Sequence, residues 1–267
     1  MKIAFCSDLH LNHAEKSVKI ALAKEIKKSN CDMVVISGDI AESHNLEFEL
    51  SYFAKWYLKP TMFILGNHDF YGSSIFETKE IAKDISDRYY YLKYLPYIGI
   101  QELTKDTCLV GWDSMYDCKY GKFIGGKCNF ELADFYYINE IKRLSRMEIQ
   151  HFMISLGKEL AVHIKDILPK AFSKYKNVIA VTHIPPFPEV CLYNGCSSEL
   201  EALPFFCNKQ MGEALLDVMG EYTENNLTLL CGHTHSSCER MIGDNFKVIV
   251  AGAKYGTPKV FSYIDVL

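Results

Sequence analysis

The chain has 267 residues, 49% of them hydrophobic and 23% charged, an ordinary globular composition with length enough for a sizeable core. Its net charge is −4 and its arginines, Arg88, Arg143, Arg146 and Arg240, are scattered, which excludes the basic stripe of a dedicated duplex-binding surface. Nothing reads as an apolar membrane span of about 18 residues, and ten cysteines without a CxxC read as reduced thiols in the cytoplasm.

In chain order, the first part alternates strand and helix. Lys2–Ser7 is an apolar strand that reaches Asp8 at once, leaving no room for a cleavable signal. Glu15–Lys28 follows as an amphipathic helix whose stripe is Val18, Ile20, Ala21, Leu22 and Ile26. Strands Asp32–Ser37 and Thr61–Leu65 then alternate with helices Asn45–Leu58 and Ser74–Arg88, a run that implies a parallel sheet with right-handed crossovers.

The middle is less regular. Tyr89–Leu92, Tyr97–Leu103 and Thr107–Trp112 read as short strands, and 116–128 as a glycine- and tyrosine-rich loop. Phe130–Leu144 and Met147–Phe172 read as helices that pack the core. After strand Asn177–Thr182 comes the irregular segment 185–208 and the helix Lys209–Tyr222. Strands Leu227–Cys231, Phe246–Ala251 and Val260–Val266 are expected to close a second sheet.

Five of these strands end in a polar cluster: Asp8 with His10, Asp39, Asn67 with His68 and Asp69, His183, and His233 with His235. Strand ends form the rim where α/β sheets bind ligands. Carboxylates, imidazoles and one amide, without a thiolate, suit two divalent ions such as Mn, Fe, Co or Zn.

Other features carry less. Gly121–Lys127 has the spacing of a phosphate-binding loop, but Cys128 replaces the required hydroxyl. His151 and His163 fall on a helical pattern. His13 and His44 sit in the loops after the first two clusters, where contact with substrate is open. Cys191 and Cys196 read as inert thiols.

The strings DLH, GDI, GNHD, THIPP and CGHTH, from Asp8 to His235, together resemble the signature of the calcineurin-like metallophosphoesterase superfamily. The resemblance implies a four-layer αββα sandwich, two mixed sheets flanked by helices. One domain is expected over 1–267, with substrate-selecting insertions at about 115–176 and 185–208. Asp8, His10 and His235 would hold one metal ion and Asn67, His183 and His233 the other, with Asp39 bridging. Mn is favoured over Fe, Zn or Co, and a hydroxide between the two ions would attack phosphorus. His68 would protonate the leaving oxygen, with Asp69 holding its ring.

The expected reaction is hydrolysis of a small phosphodiester or nucleotide-like substrate, because Tyr116, Tyr120, Phe123, Tyr193 and Phe205 offer faces on which a base can stack. A phosphoprotein or small-molecule phosphomonoesterase is the alternative. A non-catalytic scaffold of the same fold would lack ligands, and none is missing.

Overall fold

The structure is a computed structural model that describes residues 1–121, 131–193, 196–197 and 201–266. The Gly121–Lys127 spacing and Phe123 therefore lie outside the described residues, apart from Gly121 itself.

The first half builds one sheet and its helices. β1 (Lys2–Cys6), α1 (Lys16–Lys28), β2 (Met33–Ser37), α2 (Leu46–Tyr57), β3 (Thr61–Ile64), α3 (Ile75–Arg88) and β4 (Leu92–Tyr94) follow in that order. β1 to β4 are parallel neighbours, as a βαβ run of right-handed crossovers requires. α3 starts where Ser74 Oγ accepts the Glu77 N–H, a cap for one of the helix's orphan donors.

The second sheet begins after the short helix α4 (Leu95–Ile98) with β5 (Gln101–Glu102) and β6 (Thr107–Gly111). α5 (Asp134–Tyr137), α6 (Arg146–Phe172) and β7 (Asn177–Val181) follow, then the small ribbon β8 (Leu192–Tyr193) and β9 (Cys196–Ser197). α7 (Leu203–Phe206), α8 (Lys209–Glu221), β10 (Asn226–Cys231), β11 (Cys238–Met241), β12 (Phe246–Val250) and β13 (Ser262–Asp265) complete the chain. The sheet order is β11-β12-β10-β7-β6-β5, with β6, β7, β10 and β12 parallel.

Ile3, Phe5, Val35 and Ile64 of the first sheet meet Leu109, Ile179, Val181 and Leu230 of the second in one buried layer. The opposite face of the first sheet is covered by α1, α2 and α3 through residues such as Ile26, Phe53 and Ile85. That of the second is covered by α6 and α8 through Ile164, Leu168, Leu215 and Val218. These are the four layers of an αββα sandwich, with two mixed sheets flanked by helices.

Three expectations are corrected. The last strand does not close the second sheet: β13 pairs antiparallel with β1 at the edge of the first, where Phe261 packs edge-on against Phe5 at 5.9 Å. The strand expected over Tyr97–Leu103 is interrupted, because Pro96 opens the helical turn of α4 and Gly99, at φ 72°, ends it. Helix is confined to α5 within the described part of Phe130–Leu144. Beyond it, Ile141 and Leu144 donate to carbonyls three residues back, so successive turns bury Phe135, Ile138 and Ile141 at a spacing that imitates a helical stripe.

Candidate metal centre

β1, β2 and β3 run parallel, as do β7 and β10, so the residue that follows each strand arrives at one rim. The turns there are tight. Asp8 (φ 50°), His10 (φ 41°), Asp39 (φ 51°), His233 (φ 73°) and His235 (φ 56°) all lie in the left-handed region, which costs a non-glycine residue energy and concentrates at functional sites. Backbone bonds lace the first two loops: Asp8 N–H to Gly38 O at 3.1 Å and His10 N–H to Asp39 O at 2.9 Å. Glycine is required where the loops touch. A Cβ on Gly66 would lie 2.3 Å from Asp39 Oδ1, and one on Gly232 would lie 1.9 Å from Ser7 Oγ.

The expected residues come together as two groups. In the first, Asp8, His10, Asp39 and His235 offer ligand atoms that all lie within 4.8 Å of one another. His10 Nε2 and His235 Nε2 are 3.2 Å apart, and Asp8 Oδ1 is 3.3 Å from His235 Nε2. Asp8 Oδ2 accepts from Ser7 Oγ at 2.5 Å, and the His233 N–H donates to Oδ1 at 3.0 Å.

In the second, Asn67 Oδ1 lies 3.1 Å from His183 Nε2 and 3.0 Å from His233 Nδ1. Carbonyl groups fix both rings. His183 Nδ1 is 2.8 Å from Ser37 O, and His233 Nε2 is 3.0 Å from Phe205 O. Each of those nitrogens must therefore carry the proton, which leaves the opposite nitrogen to face Asn67. Asn67 in turn donates through Nδ2 to Asp134 Oδ1 at 2.9 Å, which turns its carbonyl oxygen inward. Asp39 stands between the groups, with Oδ1 3.3 Å from His183 Nε2 and Oδ2 3.7 Å from His10 Nε2.

Charge follows from burial. Burial opposes ionisation of Asp39, yet His183 and His68 hold its carboxyl well below the usual range. For Asp8, burial is likewise outweighed by the hydrogen bond from His235 and the charge of His183. Burial lowers His10 to about 4 and, with the charge of His183, lowers His233 to about 3. It would lower His183 too, but the Asp39 carboxylate raises that ring to about 10. Inward-facing nitrogens and carboxylates, two of the imidazoles neutral, form a donor set that fits divalent cations.

Around this core the arrangement departs from expectation at Asp69. Its carboxylate does not take the His68 ring. Oδ1 accepts the Ile40 and Ala41 N–H groups at 2.8 and 2.9 Å, and Oδ2 accepts the Gly66 N–H at 2.7 Å. Asp69 is a staple between the loop after Asp39 and the loop that carries Asn67. The His68 ring is positioned by rings instead: Tyr71 at 4.3 Å, His10 edge-on at 4.8 Å, and the Tyr255 hydroxyl 3.4 Å from Nε2.

Tyr71, Asp134 and Tyr255 were not found by sequence reasoning. A signal for Tyr255 existed, since β12 is parallel to β10 and the residues after it must reach the same rim. At the mouth, His13 and His44 both turn to Glu42, at 3.7 and 4.0 Å. Tyr116 and Phe205 are fully buried and meet edge-on at 5.6 Å, so they pack the core and offer no stacking face. Tyr120 is half-buried and Tyr193 exposed. Cys191 is buried, its thiol on Phe206 O at 3.2 Å.

Comparison with curated proteins finds no match. Among solved structures the fold is similar to that of a phosphopantetheinyl hydrolase from Mycobacterium tuberculosis. That likeness has a TM-score of 0.68 at 13% identity and covers 96% of this chain and 90% of that one. A dimetal phosphatase from Danio rerio is also similar, with a TM-score of 0.56 at 13% identity over 98% of this chain and 88% of that one. The model of the calcineurin-like phosphoesterases matches residues 1–237. With the five clusters converging as that family's two-metal chemistry needs, the chain belongs to the calcineurin-like phosphoesterase family and is a metal-dependent phosphoric ester hydrolase.

Proposed function

We propose that the protein hydrolyses a small phosphodiester or nucleotide-like substrate, with Asp8, His10 and His235 holding one divalent ion and Asn67, His183 and His233 the other. Asp39 serves both, as its two oxygens facing the two groups support. Mn is the favoured ion of the Mn, Fe, Zn and Co set. When bound, the pair supplies Lewis acidity toward the phosphoryl oxygen and acidifies water.

The residues do the rest. Water adds to phosphorus and gives up a proton to solvent as the bond to the alkoxy oxygen breaks, and His68, partly exposed and seated on Tyr71, gives that oxygen a proton and regains one from solvent. Ser37 O and Phe205 O keep His183 and His233 aimed inward. Asp134 does the same for Asn67. Segments at about 115–176 and 185–208 are proposed as substrate-selecting insertions of a single domain. Exposed Tyr193 keeps its expected stacking role, which buried Tyr116 and Phe205 cannot fill, and Tyr255 at the rim adds a second face.

The observation that carries this reading is the pair of carbonyl-fixed imidazoles converging on Asn67 Oδ1. Its test is hydrolysis of diesters, monoesters, cyclic nucleotides and short RNAs by the Mn-loaded protein, with and without chelator. Chelator-sensitive turnover with diesters preferred is expected. A preference for monoesters would overturn the substrate assignment, and turnover that survives chelation would overturn the ligand assignment.

A further inference from the structure

Given hydrolysis at the centre described above, we infer that the segment after β12 forms a second substrate subsite, one that takes an anionic group on the organic part of the phosphoester. β12 lies parallel to β10, so its end opens on the rim that carries His233 and His235. The Ala253 N–H donates to His235 O at 3.1 Å, which ties the two loops. Lys254 to Thr257 then form a closed turn. The Thr257 N–H and Oγ both donate to Lys254 O, at 3.1 and 3.0 Å, and Gly256 takes φ 74° at the third position, as a type II turn demands.

This turn lays the Tyr255 ring against His10 at 4.3 Å and near His235 at 5.0 Å, with its hydroxyl 3.4 Å from His68 Nε2. The same turn and the loop of His235 bound a cavity of about 460 Å³, lined by His235, Ser236, Ser237, Lys254, Thr257 and Lys259, within the size range of small-molecule sites. Among the described residues no carboxylate pairs with either lysine. Two lysines and three hydroxyl residues thus line one cavity with His235, on a chain whose net charge is −4. Lysine binds phosphate and carboxylate as a point charge. A phosphoryl group at the centre would thus leave its organic part on Tyr255 and its second anion at Lys254 and Lys259.

The test uses two ligands with an inert carbon–phosphorus bond, phenylphosphonate and its para-carboxy derivative, titrated calorimetrically into the Mn-loaded protein. The carboxy derivative is expected to bind about tenfold more tightly, two exposed ion pairs being worth roughly that much. Lys254→Gln with Lys259→Gln should abolish the preference while Mn content stays unchanged. Equal affinities in the unaltered protein, or a preference that survives both substitutions, would overturn the subsite. Because neither ligand is hydrolysed, this outcome is read separately from turnover: a protein that cleaves no ester refutes the reaction and leaves the phosphonate comparison decisive for the subsite.

Discussion

His10 Nε2 and His235 Nε2 face each other at 3.2 Å from positions 225 residues apart. Burial keeps His10 neutral, with its value lowered to about 4, so one of its ring nitrogens is free to donate a lone pair. Asp8 and Asp39 crowd the same space, at 3.3 Å from His235 and 3.7 Å from His10. A cation relieves the crowded carboxylates and takes a neutral imidazole as ligand. Protein reconstituted with Mn is therefore expected to hold about two ions per chain, and Asp39→Asn to weaken retention by at least about 100-fold. Elemental analysis that finds no more than one ion, or the same content in Asp39→Asn, contradicts the shared carboxylate.

Ion binding should displace a proton from His183. In the metal-free protein burial works against its charge, but Asp39 raises it to about 10, whereas a ligand imidazole must be neutral. At pH 8 uptake of Mn is expected to release about one proton from His183. His10 and His233, lowered to about 4 and 3, have none to give. Calorimetry in buffers of different ionisation enthalpy measures the release, and a value of zero would reject it. The sign for stability follows: a raised imidazole stabilises the metal-free fold fully below its unfolded value and loses that contribution as pH rises through about 10.

Separation of His68 from the ligands gives a third expectation. Its N–H donates to Asp39 Oδ1 at 2.9 Å, while its ring rests on Tyr71 and stops 4.0 Å from Asp39 Oδ2. Truncation removes the proton donor and leaves the backbone bond. His68→Ala should keep both ions and lose roughly 10²–10⁴-fold in turnover on alkyl esters, with a smaller loss on nitrophenyl esters, whose leaving oxygen needs no proton. Equal losses on both, or departure of metal, would assign the ring to the ligand set.

The residues of the candidate metal centre were legible because each sits within four residues of the end of a strand, so a local pattern carried both the element and the side chain that follows it. What escaped depends on long-range closure. Asp69 reaches Ile40 and Ala41, 29 and 28 residues away, and those N–H groups point at it only because Asp39 turns left-handed. No periodicity encodes such a turn. β13 was recognisable as a strand, but alternation of its side chains fixes a buried face and not a partner, which the fold supplies as β1. Tyr116 and Phe205 stood in irregular segments that looked solvent-facing, yet each fills a gap beside Asp134 or Phe135 that only the folded chain defines.

Phe205 and Tyr193 should accordingly part company. The Phe205 ring is fully buried, edge-on to Tyr116 and to Phe135 at 5.6 Å each, and its carbonyl holds His233 Nε2 at 3.0 Å. Removing the ring should cost about 3–5 kcal/mol through lost burial and the cavity left behind, which lowers Tm by roughly 6–20 °C in a chain of this size. As α7 relaxes, the carbonyl shifts and His233 loses its fixed tautomer, so Mn affinity should fall about 10–100-fold in Phe205→Ala. Tyr193 is 61% exposed, and Tyr193→Ala should stay within about 0.5 kcal/mol of the parent in stability. Any effect there belongs in KM for a nucleotide-like substrate, where loss of a stacking face costs about 5–150-fold. Thermal melts, Mn titration and steady-state kinetics on the two variants decide the matter. A stable Phe205→Ala with intact Mn affinity would show that its carbonyl does not set His233, and a Tyr193→Ala that loses on every substrate alike would remove Tyr193 from substrate selection.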